Sequence, residues 1–226
     1  VSTLNIAHRG ASADAPENTL AAFELAVEQG AQMIETDLHL SRDGEIPIYH
    51  DDQIEGTPVG ELTLAELREI RPELPTLQQM LDKLGGRIPL NLEIKRPRKA
   101  AYEGLEAQVL SEVKRRGLLP ETLFSCFHDG VLATLRGLEP AARVGLLISA
   151  RFPASIEERA SALAAEAIHP PLSLAQQNLV ESAHARGLRV NVYTVDAPDD
   201  QRRLIALGVD GIFTNLPAQL SKILAG

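Results

Sequence analysis

The chain predicts an α/β fold, an eight-stranded parallel (β/α)8 barrel with a short hairpin extension after the second strand. Three observations carry this. Short β-rich runs alternate with stretches of helical periodicity. Eight such runs can be counted, which favours closure into a barrel over an open doubly wound sheet. Several helical stretches end in glycine, at Gly30, Gly117, Gly187 and Gly208, where a left-handed residue past the last turn is expected. The 226 residues are expected to form one such domain over 1–226, since two full domains would be cramped.

In chain order, the first strand is Asn5–His8 and the helix after it is Thr19–Glu28, with Leu20, Phe23 and Val27 at spacings of three and four. The second strand, Met33–Leu38, runs into Ser41-Arg42-Asp43-Gly44, a turn signal with Asp-Gly at its centre. Glu45–His50 follows as a short strand, so the chain is predicted to fold back and deliver His50 to the end of the barrel where the strands finish. Pro72 and Pro75 mark a loop between the helices Leu64–Ile70 and Leu77–Leu84. The remaining pairs are strand Leu90–Ile94 with helix Leu105–Arg116, Thr122–Phe127 with Val131–Leu138, and Val144–Ile148 with Ile156–Ala165. Glu166–His169 with Leu174–Arg186 and Arg189–Thr194 with Pro198–Leu207 come next, and Gly211–Thr214 closes the set. Asp210-Gly211 and Thr214-Asn215-Leu216-Pro217 read as turn and cap chemistry.

Composition narrows the function classes. At 44 % apolar and 23 % charged, the chain is an ordinary globular sequence. A net charge of −9 argues against a nucleic-acid partner and leaves room for a local basic pocket around a small anion. No run approaches the ~18–20 apolar residues of a membrane span, so no stable membrane insertion is expected. Cys126 is the single cysteine, which excludes an intramolecular disulfide and favours a reducing compartment. No basic region followed by an apolar run stands at the start. The expectation is a cytoplasmic protein, with a trimmed leader left open by the start at Val1.

The informative signal is polar residues inside strands that should be apolar. Strands of a parallel barrel are covered on both faces and normally read Val, Ile and Leu. Here the first reads Ile6-Ala7-His8-Arg9-Gly10, the second Ile34-Glu35-Thr36-Asp37, the third Leu92-Glu93-Ile94-Lys95. Side chains alternate along a strand, so Glu35 and Asp37 share a face, as do Glu93 and Lys95. Three carboxylates converging at the mouth would raise one another's pKa unless a cation joined them, and hard oxygen ligands suit Mg2+ or Ca2+. The plainer alternative is that the acids only pair with Arg9 and Lys95. Arg9 and Lys95 suit a phosphate, as a guanidinium fork and a point charge. His8 and His50 each end a strand at the rim where barrel enzymes place catalytic groups, and two histidines across a phosphorus can serve as general base and general acid. Glu17 and Asn18 are candidates to lean over the same mouth, Asn18 or Thr19 being the helix cap. Phe127 and Tyr193 are candidates for an apolar wall. His39, His128 and His184 read as satisfied structural residues, and His169 as lining the mouth or capping its strand.

Taken together, His8-Arg9-Gly10, Pro16-Glu17-Asn18-Thr19, Glu35-Thr36-Asp37, His50-Asp51, Glu93-Ile94-Lys95 and the segment from Gly208 to Asn215 resemble the glycerophosphodiester phosphodiesterase family. The pieces occur in order from about residue 5 to residue 220. Each alone is weak, whereas the ordered set is specific. The resemblance implies the barrel and a small-molecule glycerophosphodiester substrate, such as glycerophosphocholine or glycerophosphoethanolamine, cleaved to sn-glycerol 3-phosphate and an alcohol. It implies Glu35, Asp37 and Glu93 as ligands of one Mg2+ or Ca2+, His8 and His50 as the acid–base pair, and Arg9 and Lys95 on the phosphate. After His50-Asp51-Asp52 the chain departs from the longer segment of many relatives. It has only Gln53-Ile54-Glu55-Gly56-Thr57-Pro58-Val59-Gly60, which leaves a more open mouth for bulkier diesters. Two other readings share these residues. One is a lysophospholipase D-like diesterase on the same fold. The other is a non-catalytic phosphate-binding module, which would lack one or more of the two histidines and three acids.

Overall fold

A computed structural model describes residues 3–97 and 101–226; the chain start at Val1 and Ser2 lies outside the described residues. Eight parallel strands close into a barrel. They are β1 (Leu4–His8), β2 (Met33–Leu38), β5 (Leu90–Ile94), β6 (Thr122–Cys126), β7 (Arg143–Leu147), β8 (Ala167–His169), β9 (Arg189–Val192) and β10 (Gly211–Thr214), with β10 pairing back onto β1. The antiparallel pair β3 (Gln53–Ile54) and β4 (Thr57–Pro58) forms a small hairpin outside the barrel. This is the predicted fold, hairpin extension included.

The helices α1 (Leu20–Glu28), α2 (Leu64–Ile70), α3 (Leu77–Leu84), α4 (Leu105–Arg115), α5 (Asp129–Leu138), α6 (Ile156–Ala162), α7 (Gln177–His184), α8 (Pro198–Leu207) and α9 (Pro217–Ala225) connect or follow the strands. Their starts obey local chemistry. Thr19 accepts a hydrogen bond from the Ala22 amide, and Thr63 with Glu66 and Thr76 with Gln79 form reciprocal capping boxes. Gly30, Gly117, Gly187 and Gly208 all have positive φ, as their positions after helices require. The apolar stripes of the helices meet the outward face of the barrel in one continuous core that includes Phe23, Ile34, Leu38, Met80, Leu92, Phe124, Leu146 and Val190. No described helix is long and apolar enough to cross a membrane.

Several boundaries move. The fold-back after β2 is present, but over Glu45–His50 it is a series of single contacts rather than a strand. Leu38 bridges Ile48, the His39 amide donates to Pro47 O (3.1 Å), and the Tyr49 amide donates to Asp37 O (3.1 Å). Pro47 has no amide hydrogen, which prevents a regular ladder. The regular hairpin comes later, where Glu55 and Gly56 both adopt left-handed backbone between β3 and β4. The predicted helix Leu174–Arg186 contracts to α7, with a 3-10 turn over Leu172–Leu174 ahead of it. Helix α9 was not foreseen. Pro217 starts it, and Leu220 is fully buried where the helix packs on β1 and α8.

Inside the barrel, below the mouth, lies a polar layer: Asn91, Ser125, His169 and Asn191, all buried. Asn91 Nδ2 donates to Ser125 Oγ (2.9 Å), and Asn191 Nδ2 lies 3.3 Å from His169 Nε2. Room for the larger two comes from glycine. A Cβ on Gly145 would sit 2.7 Å from His169 Nε2, and one on Gly211 2.6 Å from Asn191 Oδ1. His169 therefore neither lines the mouth nor caps its strand. It is a core residue 5.0 Å from the Phe213 ring, and burial pushes its pKa down to about 3.

Candidate active site

The C-terminal end of the barrel carries the polar strand residues, and the strand register sets their spacing. His8 pairs with Glu35 and Asp37 with Glu93, so two successive levels across β1, β2 and β5 hold a histidine and three acids. One carboxylate oxygen from each of Glu35, Asp37 and Glu93 lies within 4.8 Å of the others, and all three residues are buried.

The chain leaves β1 sharply. Arg9 and Gly10 both have positive φ (58° and 83°), and the Arg9 amide donates to Glu35 O at 3.0 Å and lies 3.1 Å from Glu35 Oε2. A Cβ on Gly10 would be 2.7 Å from the Ala22 backbone, so only glycine fits between this turn and α1. The turn swings the Arg9 guanidinium over the acids. Its Nη1 donates to Glu17 Oε2 (2.9 Å), and its Nε lies 3.4 Å from Asp37 Oδ2. Asn18, also at positive φ, donates to Asp37 Oδ2 (2.8 Å) and accepts from Thr36 Oγ1 (2.8 Å), while Thr19 is the helix cap. Lys95 Nζ bridges Asp37 Oδ1 (2.8 Å) and Glu93 Oε1 (2.7 Å).

These pairings are uneven. Burial alone would raise the Asp37 pKa, but Lys95 and Arg9 outweigh it and hold the carboxyl well below the usual range. Glu93 is raised by burial, with Lys95 offsetting part of the rise. Glu35 is raised furthest, by burial and then by Asp37 and Glu93. Among the described residues, no Lys or Arg side chain forms an ion pair with Glu35; its carboxylate meets the Arg9 amide and, at 4.0 Å, His8 Nε2. So both sequence readings hold in part. Asp37 and Glu93 are ion-paired, yet Glu35 has no Lys or Arg paired to it among the described residues, and its raised pKa records how costly a charge is there. A hard divalent ion fits that donor set and that imbalance.

His8, Arg9, Glu35, His50, Asn91, Glu93, Lys95, Ser125, Phe127 and Tyr193 are among the residues lining one cavity of about 160 Å³. An adjoining, more open cavity of about 240 Å³ shares His50, Glu93, Lys95 and Phe127 and is bounded further by Asp51, Asp52, Arg96 and His128. Phe127 and Tyr193 stand edge to face, ring centres 6.1 Å apart, with the Tyr193 hydroxyl donating to Ile148 O (2.7 Å). Of the sequence candidates, His8, His50, Arg9, Lys95, Glu35, Glu93, Phe127 and Tyr193 line the first of these cavities, Asp37 is buried against Lys95, and Glu17 and Asn18 line a separate cavity with Ile48, Tyr49 and Asp51. His39 is buried with Nδ1 2.7 Å from the Tyr102 hydroxyl, and His184 pairs with Asp210 at 2.8 Å, both structural as expected. His128 differs from expectation: it is exposed at the rim of the outer cavity.

Sequence reasoning missed the groups around the histidines. His8 Nδ1 lies 2.8 Å from Asn215 Oδ1, and the Asn215 side-chain nitrogen Nδ2 donates to Asp196 Oδ2 (2.7 Å). His50 Nδ1 lies 2.7 Å from Asp51 Oδ1. Burial, and then the Arg9 charge, lower the His8 pKa against the opposing effects of Asn215 and Asp37. The available signal is the segment running into Asn215, whose residues also read as turn and cap chemistry.

Comparison with known proteins agrees over the whole chain. The family described as "Glycerophosphoryl diester phosphodiesterase family" matches residues 8–219. A glycerophosphodiester phosphodiesterase of Caldanaerobacter subterraneus subsp. tengcongensis is 32 % identical, over 96 % of this chain and 96 % of its own length. A solved phosphodiesterase of Oleispira antarctica, in complex with the product sn-glycerol-3-phosphate, superposes with a TM-score of 0.87. It is 29 % identical and covers 100 % of this chain and 98 % of its own. A solved glycerophosphodiester phosphodiesterase of Thermotoga maritima superposes at 0.84, with 27 % identity over 99 % of this chain and 99 % of its own.

Proposed function

The chain belongs to the glycerophosphoryl diester phosphodiesterase family, and from that premise we propose that it hydrolyses glycerophosphodiesters to sn-glycerol 3-phosphate and an alcohol at the cavity between His8 and His50. Glycerophosphocholine and glycerophosphoethanolamine are the substrates proposed. The observation that carries the reading is the meeting of two histidines, two acids and two cations on the walls of one cavity at the strand ends, with the third acid, Asp37, buried against Lys95 and Arg9.

Arg9 and Lys95 would stabilise charge on the phosphoryl oxygens, each turning from a carboxylate it now holds. His8, neutral because burial lowers its pKa, takes the proton of the nucleophile. That nucleophile is water, or the substrate's own glycerol 2-hydroxyl, in which case a cyclic phosphate forms and water opens it in a second step. His50 donates a proton to the departing alkoxide as its P–O bond breaks. Glu35, Asp37 and Glu93 would hold one divalent cation, Mg2+ or Ca2+, which when bound supplies Lewis-acid polarisation of a phosphoryl oxygen and neutralises the carboxylates. Phe127 and Tyr193 give the cavity its apolar wall, and Glu17 and Asn18 hold Arg9 and Asp37 in place.

The test is product release from glycerophosphocholine before and after chelation with EDTA, followed by Mg2+ or Ca2+ add-back. Activity is expected to vanish on chelation and return with the metal; full activity in rigorously metal-free protein would remove the cation from the reading. A lysophosphatidylcholine series belongs in the same panel. Turnover there that rises with acyl length and exceeds that on glycerophosphocholine would replace the substrate class.

A further inference from the structure

One carboxylate holds Asn215 from one side. Asn215 follows β10 directly and precedes the Pro217 that starts α9, so its backbone is held at both ends. Asp196, in the loop after β9, receives the Asn215 amide N–H on Oδ1 (2.8 Å), the Thr214 hydroxyl on Oδ1 (2.9 Å) and the Asn215 side-chain nitrogen on Oδ2 (2.7 Å). A carboxylate taking three donors fixes which way the Asn215 side chain points: the NH2 toward Asp196, the carbonyl oxygen away from it. That oxygen faces two groups. The Ser12 hydroxyl lies 2.8 Å from it and 2.7 Å from the His8 carbonyl, and His8 Nδ1 lies at 2.8 Å.

An amide oxygen has no proton to give. His8 Nδ1 must therefore carry the hydrogen, and in the neutral ring the lone pair is on Nε2, the nitrogen 4.0 Å from Glu35 Oε2. We propose that Asn215, held by Asp196, is the positioning residue that sets both the tautomer and the ring angle of His8. The inference rests on the reading of His8 as the proton acceptor, and it deepens that reading. Without Asn215 the ring could turn about its Cβ bond and could protonate on Nε2, the tautomer free histidine favours. It would then present an N–H where a lone pair is needed. Orientation by an outer hydrogen bond is the physics that fixes metal-bound and catalytic imidazoles in general. Here the partner is a neutral amide, and the carboxylate sits one bond further out. The geometry is tertiary throughout, because residues 8, 12, 196 and 215 meet only where the barrel closes between β10 and β1.

The experiment uses the whole chain labelled with 15N-histidine, in buffer containing Mg2+ at neutral pH. Long-range 1H–15N correlations report the tautomer of each ring, and steady-state kinetics on glycerophosphocholine run in parallel. His8 is expected as the Nδ1–H form in the unsubstituted protein. In Asn215→Ala that pattern is expected to collapse toward Nε2–H, with kcat falling about 10–100-fold and KM nearly unchanged. Asn215→Asp alone sets two carboxylates against each other, so it should also be impaired. Adding Asp196→Asn restores one donor facing one acceptor and is expected to bring back the Nδ1–H pattern and most of kcat. An Nε2–H ring in the unsubstituted protein overturns the proposal without any variant having to fold. So does Asn215→Ala with unchanged kcat, or a doubly exchanged protein no better than Asn215→Asp. If instead the tautomer follows Asn215 while His8→Ala retains full turnover, the catalytic reading of His8 fails and the positioning stands.

Discussion

The two histidines reach the cavity from regions built in different ways. His8 ends β1, which is hydrogen-bonded to a neighbour on each side, and its ring is held by Asn215 from more than 200 positions along the chain. His50 lies on the excursion between β2 and α3, joined to the barrel by single bridges and supported by a separate small core of Ile54, Val59, Leu67 and Leu74. Its ring is held by the next residue, Asp51. The His8 side chain is 19 % exposed and that of His50 36 %. One of the two histidines proposed to transfer protons is thus built into the closed sheet and hydrogen-bonded to a neutral amide. The other sits on an accessory flap and is oriented by a charge. That division suits a fixed base facing the enclosed cavity and an acid at the wall shared with the open one, where an alcohol can leave.

The comparison breaks most visibly if the rings are removed. His8→Ala and His50→Ala are each expected to lower kcat on glycerophosphocholine on the order of 10²–10⁴-fold. A glycerol phosphodiester of p-nitrophenol sharpens this, because its leaving group needs no proton. The His50→Ala deficit should shrink to less than about tenfold on it, while the His8→Ala deficit persists. The reverse pattern would exchange the two roles.

Backbone substitutions test the rigidity of the two regions. Gly10→Ala places a methyl 2.7 Å from the Ala22 backbone at φ +83°, whereas at Gly56, with the same φ, a Cβ meets nothing within 4 Å. Gly10→Ala should cost about 3 kcal/mol, from a left-handed alanine and a clash that only backbone movement relieves. Gly56→Ala should cost about 1 kcal/mol, the conformational part alone. Chemical denaturation midpoints check both, and equal costs would refute the contrast.

Acid should loosen the His50 side first. His39 underlies it, with Nε2 3.5 Å from the His50 carbonyl oxygen, and burial lowers its pKa from 6.5 to about 4. The unfolded chain then binds more protons than the folded one between those values. The stability held by neutral His39 is complete above pH 6.5 and is lost as pH falls toward 4. The expected loss is roughly 2 kcal/mol. Urea midpoints at pH 7 and pH 4.5 should converge in His39→Gln relative to the unsubstituted protein. An unchanged pH slope in that variant would assign the acid sensitivity elsewhere.

Much of the site was legible because a buried strand has a strict composition. Glu35, Asp37, Glu93 and Lys95 stand out against Ile34, Leu92 and Ile94, and alternation alone puts the acids on one face. The groups that hold the histidines were less legible. Asn215 follows a strand and precedes a proline-started helix, and any asparagine there reads as a cap. Asp196 reads as a loop aspartate ahead of α8. Pro47 hid the difference between a strand and a series of bridges, since apolar alternation survives where the ladder does not. His169 is hard to place because a histidine at a strand end resembles a rim residue, and only Gly145 on the neighbouring strand reveals that it points inward.

What the sequence alone determined is everything that depends on period and local partners: the eight strands, most of the helices and their caps, the acids on shared faces, and His50 beside Asp51. The tertiary structure decided what depends on closure. It brought β10 against β1 and so placed Asn215 on His8. It set the register that puts His8 level with Glu35 and Asp37 level with Glu93. It also left Glu35 as the buried acid with no cationic side chain paired to it among the described residues. The physical reason is range. Periodicity and capping are settled within a turn or two of chain. The orientation of an imidazole, and the balance of charge around a carboxylate, are settled by whichever groups the closed barrel brings within 3 to 4 Å.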